Sequence, residues 1–119
     1  MRIETKVLHS GYKPENGGPS QVPIVQSTTY RFDSCDHVAE LFDKPTEFMY
    51  SRFANPTCDV VEKKIADLEG GVGCMLTSSG QAASLLSILN LCSAGDSFIA
   101  SSSIYGGTYP TCPYAKDKD

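Results

Sequence analysis

The stretch from Val72 to Ala100 constrains the fold more than any other part of the sequence. Val72 to Thr77 (VGCMLT) is a short apolar run bounded by glycines and serines, the composition of a buried parallel strand. Ser78-Ser79-Gly80 follows, and then Ala82, Leu85, Leu86, Leu89 and Cys92 recur at helical spacing. Gly95-Asp96 turns the chain into Ser97-Phe98-Ile99-Ala100, a second short apolar run. Strand, tight turn, helix, turn and strand make a unit that leads to a second parallel strand, with a right-handed crossover if both join one sheet. The predicted class is therefore α/β.

Upstream, Asn55 reads as a helix cap with Pro56 at the first helical position, where a missing amide hydrogen costs nothing. Val61, Ile65 and Leu68 are the expected buried face of that helix, Glu62, Lys63 and Lys64 lie mostly on its wet side, and Gly70-Gly71 supply a left-handed stop. A shorter helix is predicted from about Ser34 to Phe42, capped by Asp33 or Ser34, with Val38, Leu41 and Phe42 on one stripe and its end at Lys44-Pro45. Phe48 to Phe53, aromatic and cut off by Asn55-Pro56, reads as extended. Gly11 to Gln26, with Pro19 and Pro23 and several glycines, reads as an arm or extended loop. The domain reading is thus residues 1–56 as an extended N-terminal arm with a short helix, 57–109 as the start of an α/β domain, and 110–119 as a tail. Pro110, Pro113 and a charged end prevent a further helix or buried strand in that tail.

Several function classes fall away on charge and pattern. Ten Lys and Arg against fourteen Asp and Glu give a net charge of −4, the wrong sign for a protein that neutralises many phosphates, so no nucleic-acid partner is expected. The start, Met1 to Lys6, has no apolar run, and Leu85 to Leu91 is short and contains Ser87 and Asn90, so neither a signal peptide nor a membrane partner is expected. Five cysteines (Cys35, Cys58, Cys74, Cys92 and Cys112), with no close pair, argue against a disulfide framework and a zinc site and for the reducing cytoplasm. His9 and His37 have no Cys, His or acid at ligand spacing, and no metal site is expected.

Three places can carry chemistry. Thr77-Ser78-Ser79-Gly80-Gln81-Ala82 lies where a strand meets a helix, which points unpaired N–H groups and the positive end of the helix dipole at one spot suited to a phosphate. Taken alone, Ser78 and Ser79 are better explained as caps of the helix. In Tyr50-Ser51-Arg52, residues two apart on an extended segment point to one side, so the Tyr50 hydroxyl and the Arg52 guanidinium can grip one anion. A Tyr-Arg stack without a ligand is the alternative. In Ser103-Ile104-Tyr105-Gly106-Gly107-Thr108, after the second strand, the Tyr105 ring can stack on a flat cofactor or simply fill a turn.

Tyr50-Ser51-Arg52-Phe53-Ala54-Asn55-Pro56-Thr57, Leu68-Glu69-Gly70-Gly71, Thr77 to Ala83 and Ser103 to Thr108, in that order and spacing, resemble the Cys/Met-metabolism family of pyridoxal-phosphate enzymes. The opening, Thr5 to Gly11 and Val22 to Tyr30, is similar to that family too, in particular to its sulfhydrylase branch, and the likeness covers about residues 1–109, with the tail at 110–119 expected to fall outside the family. The resemblance implies the N-terminal part of the aspartate-aminotransferase-like (type I) fold with an incomplete sheet, and pyridoxal 5′-phosphate as cofactor. It implies that Ser79, Gly80 and Gln81 hold the cofactor phosphate. Tyr50 and Arg52 would reach the phosphate held by a neighbouring subunit of a dimer or tetramer, and Tyr105 would stack on the pyridine ring and help protonate the departing γ-substituent.

The implied reaction on a small amino-acid substrate replaces the γ-acetoxy group of O-acetylhomoserine with sulfide or a thiol, giving homocysteine or methionine. Methionine γ-lyases of the family typically carry Cys directly after Tyr-Gly, where this chain has Gly107, which favours the sulfhydrylase reaction. A methionine or cystathionine γ-lyase, or a non-catalytic anion-binding or dimerisation remnant, is the alternative. Family members are several times longer, and the lysine and aspartate that hold their cofactor have no counterpart among Lys6, Lys13, Lys44, Lys63, Lys64, Lys116, Lys118 and their neighbours. The expectation is a fragment, inactive alone and loosely folded, with exposed apolar faces.

Overall fold

The computed structural model describes residues 1–109; Cys112 and the expected tail at 110–119 lie outside them. The chain forms two compact units, divided between Met75 and Leu76.

The first unit carries α1 (Ile3–His9), α2 (Cys35–Asp43) and α3 (Pro56–Glu69). The α3 start follows from Asn55, whose side-chain oxygen accepts from the Thr57 N–H at 2.9 Å, with Pro56 behind it. Its end follows from Gly70, left-handed at φ 66°, after which the Gly71 N–H reaches back to the Ala66 carbonyl at 2.8 Å. In α2 the Ser34 hydroxyl accepts from the His37 N–H at 3.1 Å. All three boundaries agree with the reading of caps and stops.

Helix α1 has no such signature: its cap residue, Arg2, makes no side-chain capping bond. Contacts distant in sequence hold it on α3. Lys6 donates to the Asp67 side chain at 2.9 Å and to its carbonyl at 3.1 Å, Ser10 donates to the same carboxylate at 2.6 Å, and Lys64 donates to the Val7 carbonyl at 3.0 Å. Gly11, at φ 84°, allows the close approach, since a Cβ there would strike the Val60 carbonyl. The Ser10 hydroxyl and the Lys6 ammonium hold the Asp67 carboxyl below its ordinary value of 3.8. A depressed folded value makes the contribution whole above the ordinary carboxylate range and lost as the pH falls through the folded value. The protection of the amides across residues 3–10, relative to their intrinsic exchange at each pH, is therefore expected to fall on acidification below that range, and Asp67→Asn to remove this pH dependence while leaving α1 loosely docked throughout.

The second unit begins at Leu76 and carries α4 (Gly80–Leu91), capped by Ser79, whose hydroxyl accepts from the Ala82 N–H at 3.1 Å. Gly95, at φ 99°, turns the chain after it, with Asp96 accepting from the Ser93 N–H at 2.7 Å. Two further turns close at Ser101–Ile104 and Tyr105–Thr108, and Thr108 is buried.

The two expected strands do not form. Among the described residues the ladder is a single antiparallel bridge, Thr29 with Tyr50, and Val72 and Ile99, meant for a sheet interior, are fully exposed. A parallel strand needs neighbours to accept and donate its backbone hydrogen bonds, and no described segment pairs with either run. The expectation of two strands is corrected accordingly: the described residues are helices joined by turns and irregular segments, with the sheet of the expected α/β fold incomplete. The expected buried faces are corrected for the same reason. Leu41, 2% exposed, is the only buried apolar residue described, whereas Phe42, Val61 and Ile65 on the predicted stripes are exposed, as are Leu85, Leu86 and Leu89. No described helix is long and apolar enough to cross a membrane. The four described cysteines are free.

Candidate functional site

In the first unit, Tyr50 to Ala54 is a turn and not the extended segment expected. After the bridge at Tyr50, the N–H groups of Phe53 and Ala54 both donate to the Tyr50 carbonyl, at 2.9 and 3.1 Å. Tyr50 and Arg52 are nevertheless brought together, by stacking: the Arg52 guanidinium carbon lies 5.2 Å from the Tyr50 ring centroid and 5.4 Å from that of Phe53. No described residue pairs with the Arg52 charge. Stacked on aromatic faces, a guanidinium keeps its N–H edge available for an anion.

The turn is anchored by three short polar side chains whose full part the sequence reading missed. Ser51 donates to the Ser27 carbonyl, and the Ser51 N–H to the Thr28 carbonyl at 2.9 Å. Asn55 donates to the Val25 carbonyl at 3.1 Å and to the Ser51 hydroxyl at 2.9 Å, and Thr57 accepts from the Val25 N–H at 2.8 Å. The arm is thus tied to the turn that presents Arg52. The available signal was the inventory of Asn55: once its oxygen caps α3, two N–H donors remain to be satisfied.

In the second unit the start of α4 presents unpartnered main-chain donors. The N–H groups of Gly80 and Gln81 have no hydrogen-bond partner among the described residues. The Ser79 hydroxyl, while accepting from Ala82, keeps its own proton to donate. A Cβ on Gly80 would meet open space, so a ligand can approach the backbone there. Each of the other three described helices carries an acid in its first turn, Glu4, Asp36 or Asp59, which offsets the helix dipole; α4 carries none.

The Gln81 side chain turns toward the Tyr105–Thr108 turn, where its nitrogen lies 2.6 Å from the place a Cβ on Gly107 would take, and its oxygen is buried without a partner. Tyr105 is 75% exposed, with one ring edge against the same glycine. The second unit therefore gathers Ser79, Gly80, Gln81 and Tyr105, while Tyr50 and Arg52 stand together in the first. Donors without acceptors, a positive helix end and an exposed aromatic ring fit a flat cofactor that carries a phosphate.

Comparison with known proteins gives that donor set its context. The chain is 48% identical over 121 residues to an O-acetyl-L-homoserine sulfhydrylase of Leptospira meyeri, with 99% of this chain and 27% of the relative covered. It is 48% identical over 111 residues to O-acetyl-L-homoserine sulfhydrylase 1 of Thermus thermophilus, with 92% and 26% covered. Its structure superposes with a TM-score of 0.81 and 38% identity on a protein of Campylobacter jejuni described as an O-acetylhomoserine (thiol)-lyase and solved with N′-pyridoxyl-lysine-5′-monophosphate, over 92% of this chain and 27% of that one. The chain thus spans about a quarter of the length of the relatives it matches. Residues 4–118, which hold both the Arg52 turn and the start of α4 and run into the tail expected to fall outside the family, match one family throughout, and the chain belongs to the Cys/Met metabolism PLP-dependent enzymes.

Proposed function

We propose that this chain supplies the phosphate-binding corner of a pyridoxal-phosphate enzyme that exchanges the γ-acetoxy group of O-acetylhomoserine for sulfide or a thiol. The observation that carries the proposal is the start of α4, with partnerless N–H groups at Gly80 and Gln81 and no acid in the first turn, in a chain 48% identical to a sulfhydrylase. The main-chain N–H groups of Gly80 and Gln81 and the Ser79 hydroxyl donate to the phosphate, and the helix dipole favours its charge.

Arg52, braced on Tyr50, adds a full positive charge to the phosphate of a second subunit, so self-association completes the site. The Tyr105 ring covers the flat face of the cofactor, and its hydroxyl holds a proton for the leaving group. The cofactor, once bound, supplies the electron sink that lets protons leave the substrate carbons and the acetoxy group depart. The lysine that holds it comes from the part of the relatives that this chain does not span.

A hybrid tests the proposal, with this chain replacing the matching quarter of the Leptospira meyeri relative. The expected result is a yellow protein that retains pyridoxal phosphate through gel filtration and makes homocysteine from O-acetylhomoserine and sulfide. A colourless, inactive hybrid overturns it, and release of 2-oxobutyrate as the main product without a thiol moves the assignment to a γ-lyase.

A further inference from the structure

The glycine at 107 is not required by its backbone. Its φ is not in the left-handed region, which among the described residues is occupied by Gly11, Gly17, Gly70 and Gly95. What the structure demands there is the absence of a side chain. A Cβ on Gly107 would lie 2.6 Å from Cε1 of the Tyr105 ring, 3.3 Å from its Cδ1 and 2.6 Å from Nε2 of Gln81. Gly106, its neighbour, would place a Cβ in open space and also lacks a positive φ. The two adjacent glycines therefore make opposite steric demands.

We propose that Gly107 is a positioning residue: by presenting no side chain, it seats the Tyr105 ring edge and the Gln81 carboxamide together against one turn, beside the start of α4. The argument rests on the reading of Tyr105 and the α4 corner as a cofactor site. The two contacts differ in stiffness. The Gln81 amide is the far end of a flexible side chain and can withdraw, whereas Cε1 belongs to a rigid ring that can give way only by rotating as a whole. The turn cannot easily slide instead, because the Thr108 N–H donates to the Tyr105 carbonyl at 2.8 Å and Thr108 is buried. A methyl group at 107 thus moves the aromatic ring, while the phosphate corner at Gly80 keeps its donors. Gly107 touches no reacting atom; it acts through Tyr105.

The test uses the hybrid holoenzyme with Gly107→Ala, Gly106→Ala, Tyr105→Ala and the Tyr105→Ala/Gly107→Ala pair. Its readouts are the pyridoxal-phosphate dissociation constant and the visible circular dichroism of the bound cofactor, with kcat as a third. Gly107→Ala is expected to raise the dissociation constant roughly tenfold, the scale of overpacking a fitted contact, and to change the dichroic band, while Gly106→Ala changes neither. In the Tyr105→Ala background the alanine at 107 is expected to add nothing, because the ring it would displace is gone. Equal effects at 106 and 107, no effect at 107, or an undiminished effect of Gly107→Ala in the Tyr105→Ala background each overturns the inference. A parent hybrid that fails to keep the cofactor overturns the functional reading itself, and with it the ground on which this inference stands.

Discussion

Heating the purified 119-residue chain is expected to give a gradual loss of helical signal with no cooperative transition, and the unheated chain is expected to bind a hydrophobic dye. Ordering each residue costs about 1–2 kcal/mol of backbone entropy, and burying a large aliphatic side chain returns about 1.5–3 kcal/mol. A folded domain offsets the first with many instances of the second. Among the described residues Leu41 alone is a buried apolar side chain, while Val61, Ile65, Leu86 and Leu89 are between 41% and 62% exposed and Ile99 is at 101%. The hydrogen bonds that hold α1 on α3 are mostly exposed, where each contributes little. Caps and turns can define local shape without making the whole cooperative. Co-expression with the remaining three quarters of the Leptospira meyeri relative is expected to give a single sharp transition, because that partner covers the exposed aliphatic faces. A two-state melt of the isolated monomer, with no dye binding, would contradict this account.

Local structure was legible because its causes are local. Asn55-Pro56 and Gly70 bound α3, Ser34 starts α2 and Ser79 starts α4, each through a side chain or a left-handed glycine within a few residues of the boundary it sets. The unpartnered N–H groups at Gly80 and Gln81 were legible for the same reason. What failed depends on residues far away. The runs at 72–77 and 97–100 carry the composition of strands, but strand formation is a property of pairs, and no described segment pairs with them.

Helix α1 had the reverse character: weak local signs, and a place secured by Asp67 and Lys64 more than fifty residues on. The Tyr50–Arg52 pair lies between these cases. An extended geometry was the wrong reason to pair the two side chains, yet attraction between a guanidinium and an aromatic face pairs them across a turn. Gly107 was noted in the sequence for what it is not. Its steric demand became visible only once Tyr105 and Gln81 were seen to fill the space where its side chain would be.

Substituting Gly80 separates what is good for helix α4 from what is good for the ligand it is proposed to hold. An aspartate at the first helical position places a carboxylate at the positive end of the dipole, which by itself stabilises the helix by about 0.3–1 kcal/mol. The structure offers no steric objection, since a Cβ there meets nothing within 4 Å and the backbone is not left-handed. A protein that used this helix only as scaffold would therefore be unharmed by Gly80→Asp. A phosphate seated on the Gly80 and Gln81 N–H groups would instead face a like charge at hydrogen-bonding range, a penalty of several kcal/mol.

Gly80→Asn controls for bulk, being the same shape without the charge. In the hybrid enzyme, Gly80→Asp is expected to bind pyridoxal phosphate roughly a hundredfold more weakly than Gly80→Asn at neutral pH. The gap is expected to narrow as the pH falls through the carboxylate range and the aspartate loses its charge. The cofactor-free form of the aspartate variant is expected to unfold no earlier than the asparagine variant. Equal cofactor affinity in the two variants would show that the phosphate does not sit at the start of α4, whereas tighter binding by the aspartate variant that fades on acidification would place a positive group of the ligand there.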